Sequence, residues 1–446
     1  MKAYYYVDNR GRMRFDDSYV GPIDLPKNIT NCDYLFSECK IKLGCYLSNF
    51  DTSEVTSMSH MFSHTELPEG FTLGSKFDTS KVVDMKRMFA YCTMPANFSL
   101  GDKFNTKSVE EMTAMFLACK LSKNFQLGDE FDTTNVKDME QMFCKCDLPN
   151  DFTLGNAFIT RNVITMSQMF RGAKFPAGFN LGRNFNTYKV INMAQMFADC
   201  KMNDDFTLPE SFLTHNVLTM YGMFEKCKMS KEFTLSDANF YTGDVRNMRR
   251  MFYGCKLPEC FDLGDNFNTT NVMDMSEMFA HCKIPKHFSL GEQFITVNVT
   301  SMHSMFSYCK LPSTFSLGDF FMTHKVETVT SMFEKCVLPD DFSLGESFDT
   351  RSCYCFNEMF RGATIPVHFS LGDHFDTRNA MQMLGVFRDA KFKGAFYLGP
   401  NFYIPANAKN MFQDARMPDD TWITSFGGDE NAKLLRICTN REVTEV

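Results

Sequence analysis

Tryptophan occurs once in these 446 residues, at Trp422. No apolar run reaches the ~18 residues of a membrane span, and the opening MKAYYYVDNRGRMRFDD has no apolar signal core. The chain is therefore expected not to insert in a membrane. It would work in the cytoplasm or packaged in an assembly, with a surface location open to a processed fragment. A basic excess is missing too: 46 Lys and Arg stand against 54 Asp and Glu, for a net charge of −8. That balance argues against nucleic acid as the partner. No H-E-x-x-H, P-loop, G-x-S-x-G or G-x-G-x-x-G string is present, and the nine His are scattered. The expectation is a non-enzymatic protein without cofactor or metal. Seventeen Cys in an unsignalled chain read as reduced thiols.

What the chain has in excess is Phe, 48 residues, and Met, 33. Both follow from one repeat. A Met-Phe pair or close variant recurs with its Phe at positions such as Phe62, Phe89, Phe116, Phe143, Phe170 and Phe197. It continues to Phe412, and 11 of the 14 gaps are 27 residues long. A fixed period of this size marks a stacked array, whose function belongs on a repeated surface more than in one pocket. The divisions expected are a capping hairpin over 1–31, about fifteen repeats over 32–412 and a C-terminal cap over 413–446. Tyr4–Val7 and Arg12–Phe15 around Asp8-Asn9-Arg10-Gly11 give the hairpin.

Counted from Val82, one copy reads VVDMKRMFAYCTMPANFSLGDKFNTKS. Positions 1, 4, 7, 8 and 11 are apolar, the spacing of one helical face, so a short helix is expected there. An extended Val-to-Met piece followed by one helical turn fits the same letters. F-x-L-G alternates apolar and polar between Pro and Gly and reads as a short strand. Thr at position 25 is placed to accept from the helix start. The fold class expected is an α/β repeat solenoid of leucine-rich-repeat type. Each 27-residue copy supplies one short parallel strand and one short helical segment, and the body curves with strands on the concave side.

Four columns remain. Cys at position 11, as in Cys200, gives way to Ala173 or Ala363 in other copies, so the column needs a small buried side chain. Position 12 is basic in Lys174, Lys201, Lys228, Lys256, Lys283 and Lys310, while position 21 is acidic in many copies. Position 18 carries the hydroxyls of Thr207, Thr234, Ser289, Ser316 and Ser343. These lysines and hydroxyls are the candidate partner-binding residues, a steering stripe beside the floor of a shallow groove. Solubility of the edges and plain solvation of a β surface explain the same columns without a partner.

The segment FDTSEVTSMSHMF, Phe50 to Phe62, resembles the FDTSxVxxMxxMFxxC variant of the BspA-like leucine-rich repeats, common in mycoplasma and other bacterial surface proteins. The resemblance covers about residues 32–412 and implies a repeat fold and an association with adhesion and protein binding. The function expected is a scaffold that binds another macromolecule, a protein first of all. The alternative is a structural component of a virion or cell-surface layer that associates with itself.

Overall fold

The computed structural model describes residues 4–236, 239–405, 408–418 and 423–424. They divide into two compact units: Met1–Val217 with Cys227–Ser230, and Leu218–Lys226 with Lys231–Val446. The expected N-terminal hairpin is present, with β1 (Tyr5–Val7) antiparallel to β2 (Met13–Phe15). Most of the expected C-terminal cap lies outside the described residues. The other named strands are short and parallel. β3 (Pro22–Asp24) pairs with β4 (Tyr46–Asn49), and β5 (Thr364–Ile365) with β7 (Lys391–Phe392). β6 (Phe369–Ser370), β8 (Phe396–Tyr397) and β9 (Ile423–Thr424) form a three-stranded sheet.

No helix occurs among the described residues, which corrects the expected helical segment. In unit 1 the N–H groups of Met85, Arg87, Phe89 and Tyr91 donate to the carbonyls of Glu111, Thr113, Met115 and Leu117 in the next copy, at 2.7–2.9 Å. Between them Met88, Ala90 and Cys92 donate three residues back, to Met85, Arg87 and Phe89. Unit 2 repeats the scheme: Glu277, Phe279 and His281 donate to His303, Met305 and Ser307. A helix would have satisfied each donor within its own copy. Here positive φ at position 6 (Arg87, 53°) and position 10 (Tyr91, 58°) turns the chain out of the helical path. Successive turns result, and alternate amides stitch each copy to the next. The apolar spacing is the same as that of a helix, because positions 1, 4, 7, 8 and 11 still point inward.

Among the described residues the expected ladder through F-x-L-G is paired in the β6–β8–β9 sheet and in the short β3–β4 pair near the N-terminus, with a further bond from the Leu235 N–H to the Asp262 carbonyl. Elsewhere the rings of that column also stack, Phe342 on Phe369 at 6.1 Å. Phe125–Phe152 and Phe315–Phe342 stack at 6.5 Å, against 6.0 Å for Phe369–Phe396, where pairing appears. Backbone pairing needs strands ~4.8 Å apart. The Met-Phe rings sit closer, 5.7 Å for Phe89–Phe116 in unit 1 and 5.5 Å for Phe252–Phe279 in unit 2. Within each unit the spacing is therefore wider at F-x-L than at Met-Phe, opposite to the expected concave strand side.

Thr at position 25 also differs from its expected capping role. It is buried, and its hydroxyl donates to a carbonyl of the next copy, as in Thr79 to Asn105 at 2.7 Å and Thr269 to Ile295 at 2.8 Å. A buried donor needs one acceptor, and the neighbouring copy supplies it.

Candidate functional site

Two columns of backbone bridges flank the turn segment. The first passes through position 3, joining Ser57, Asp84, Glu111, Asp138 and Thr165 in unit 1. The second passes through position 12, joining Asp147, Lys174, Lys201 and Lys228 in unit 1 and Lys256 to Lys283 in unit 2. Lys201 N–H donates to the Ala173 carbonyl and Lys228 N–H to that of Cys200, each at 2.8 Å. The structure thus brings the candidate lysines side by side on exposed, fixed backbone. Bridged strands stand ~4.8 Å apart, so like charges face each other directly along the column, an arrangement that costs stability.

Two other steps of the column carry opposite charges. Lys40 pairs with Glu66 at 3.0 Å, and Lys174 with Asp147 at 2.7 Å. Lys201, Lys228, Lys256, Lys283 and Lys310 form no ion pair among the described residues. Lys310 is bridged to Val337. A charge-compensated column is thus available to this fold, and these copies do without it.

The hydroxyl row is engaged differently. Ser289, Ser316 and Ser343 accept the N–H of Gly291, Gly318 and Gly345, two residues on, at 3.1–3.2 Å. Such turns fix the F-x-L-G corner and explain the small hydroxylic residue there. Gly291 at φ 77° shows why Gly follows. Thr234 bonds Ser236 and the Asp262 carbonyl, and Thr207 is exposed. Four of these five hydroxyls close turns by accepting the N–H two residues on.

Buried thiols of the Cys column donate to carbonyls of the preceding copy, Cys146 to Phe116 at 2.8 Å and Cys282 to Phe252 at 2.7 Å. Burial pushes the Cys146 and Cys309 thiols up to about 12, which keeps them protonated and unreactive. Cys260 is the exposed thiol among the described residues.

Two features went unread in the sequence. Asp84, Glu111 and Asp138 occupy position 3 in three consecutive copies, a column as legible as the lysines. Their bridging places the carboxylates together, and the Glu111 carboxyl is held above its ordinary value by partial burial and then by Asp138 and Asp84. Position 10 carries a ring column in unit 2: His281 stacks on Tyr308 at 4.3 Å, and the Lys335 ammonium lies 4.7 Å over Tyr308. An open cleft of about 440 Å³ in unit 2, lined by Asp244, Arg246, Met273 and Lys325 among others, lies between copies. No group of three or more His, Cys, Asp or Glu among the described residues is arranged to hold a metal. Nor is any helix of the described residues long and apolar enough to cross a membrane.

The family model described as "Mycoplasma protein of unknown function, DUF285" matches residues 24–126, 147–260, 230–338, 259–365 and 300–426. No curated protein and no solved structure matches the chain. The five matches together take in most of its length, and the chain belongs to this repeat family.

Proposed function

We propose that this member of the mycoplasma family is a non-enzymatic scaffold that binds another macromolecule, a protein with an acidic surface, through the lysine columns of its copies. The observation that carries the reading is the in-register run Lys174–Lys201–Lys228, repeated at Lys256–Lys283, on a column that pairs opposite charges at Lys40–Glu66 and Asp147–Lys174. Like charges held opposite one another are destabilising. An acidic partner laid along the column would offset that cost and be steered to it from a distance. The parallel bridges also support a solenoid related to the BspA-like leucine-rich repeats, with turns in place of helices. Work in the cytoplasm or within an assembly fits the same reading.

The test uses poly-L-glutamate as the acidic probe. Replacing Lys201, Lys228, Lys256 and Lys283 by Glu is expected to slow association and flatten its dependence on salt, with the fold intact, because exposed single charges contribute little to stability. Unchanged association kinetics at low ionic strength would reduce the column to a device for solubility. A structural role, in which the chain assembles with itself, is favoured by the acidic column at position 3.

A further inference from the structure

The lysine column has a rise fixed by backbone bridges, and that rise restricts what can lie along it. Lys174, Lys201 and Lys228 follow one another at strand spacing, ~4.8 Å. An extended peptide presents same-side carboxylates every second residue, ~6.6 Å apart, so it meets the lysines without matching their rise. One strand of duplex DNA carries a phosphate every ~3.4 Å and mismatches it the other way. A second bridged ladder repeats its charges at the same rise as the first. Unit 1 contains one of opposite sign: Asp84, Glu111 and Asp138, bridged in three consecutive copies. Glu111 is exposed, and Asp84 and Asp138 are half-exposed. No ion pair occupies these three carboxylates among the described residues. Thr113 donates to Glu111 at 3.5 Å, and the N–H groups of Lys86 and Glu140 donate to one oxygen each of Asp84 and Asp138.

We infer that the partner of the unit 1 lysine column is a second copy of this chain, which presents its Asp84–Glu111–Asp138 column. The inference rests on the reading above that the lysines bind an acidic macromolecule, and it names that macromolecule. The two columns differ in position within the repeat and in the copies that carry them, so the contact joins unlike surfaces. Contacts of that kind leave a free column on each outer molecule and grow into open chains unless the geometry closes a ring. The fitting occupant is therefore one that supports growth, as an assembling structural protein requires.

Two neutral variants of the full chain test this by sedimentation velocity at low salt. Both carry Lys256→Gln, Lys283→Gln and Lys310→Gln; one adds Lys174→Gln, Lys201→Gln and Lys228→Gln, and the other adds Asp84→Asn, Glu111→Gln and Asp138→Asn. The unmodified chain is expected to form species larger than a dimer that disperse as salt rises. Each variant alone is expected to stay monomeric, and their 1:1 mixture to form a heterodimer and nothing larger, since one intact column of each sign remains. That recovery also shows that neither variant has misfolded. An unmodified chain that stays monomeric yet binds poly-L-glutamate through the lysines would overturn the second copy as partner and leave the binding reading standing. A chain that neither self-associates nor binds poly-L-glutamate would overturn both.

Discussion

Phe197 and Cys200 sit three residues apart in one copy and fill the core in different ways. Both are buried, but Phe197 stacks on Phe170 at 5.9 Å, whereas the Cys position accepts Ala in sibling copies. Phe197→Ala is expected to cost about 3–5 kcal/mol and Cys200→Ala at most about 1–1.5 kcal/mol, read as shifts in the urea midpoint. Equal, severe losses would show that the thiols do more than pack. The thiols also set a pH dependence. Unfolded, they ionise near the ordinary 9.0, whereas folded Cys146 and Cys309 hold their protons to about 12. Above pH 9 the unfolded chain binds fewer protons than the folded one, so stability falls as pH rises through that window. Urea midpoints should drop between pH 8 and pH 10, and a flat profile would contradict the buried, protonated column. At Thr269 the hydroxyl bonded to Ile295 is the stitch between copies, and Thr269→Val should cost about 1–3 kcal/mol through the unmet carbonyl. A loss under about 0.5 kcal/mol would make that bond incidental.

The turn segment shows what a sequence column reveals and what it hides. Val82, Met85, Met88, Phe89 and Cys92 are legible as one buried face, and all five are buried. Their spacing is shared by a helix and by a run of turns with outward residues at positions 6 and 10, so spacing alone does not separate the two. The deciding signal is that Gly172, Gly254 and Gly362 fall at position 10 and Gly222 and Gly385 at position 6, all with positive φ. The lysine column was legible because exposed charge repeats visibly. The hydroxyl row was legible as a pattern, but its purpose, the turn closed by Ser316 on Gly318, depends on geometry that the letters do not carry. Lys145 occupies position 10 at φ 58°. Lys145→Gly should therefore stabilise the fold by about 0.5–1 kcal/mol, as relief of a left-handed side chain. Destabilisation of similar size would mean that the Lys145 side chain, close against Gly172, contributes more than its backbone costs.

At the scale of the molecule, function and fold meet in one question: which part of each copy is paired to the next. The lysines have a constant rise because position 12 is bridged, and the acidic column has the same rise because position 3 is bridged. Had the ladder formed at F-x-L-G, as the alternation of Phe and Leu suggests, both columns would lie on unpaired backbone, and their register would have no physical basis. Opening of a backbone bond governs amide exchange, so exchange reports where the pairing lies. Peptide-resolved hydrogen–deuterium exchange on the intact chain is the most direct test. Segments such as 85–92 and 275–282 are predicted to exchange slowest, and segments such as 98–101 and 315–318 fastest, in both units. Protection concentrated in the F-x-L-G segments, with 85–92 and 275–282 exchanging freely, would contradict the account.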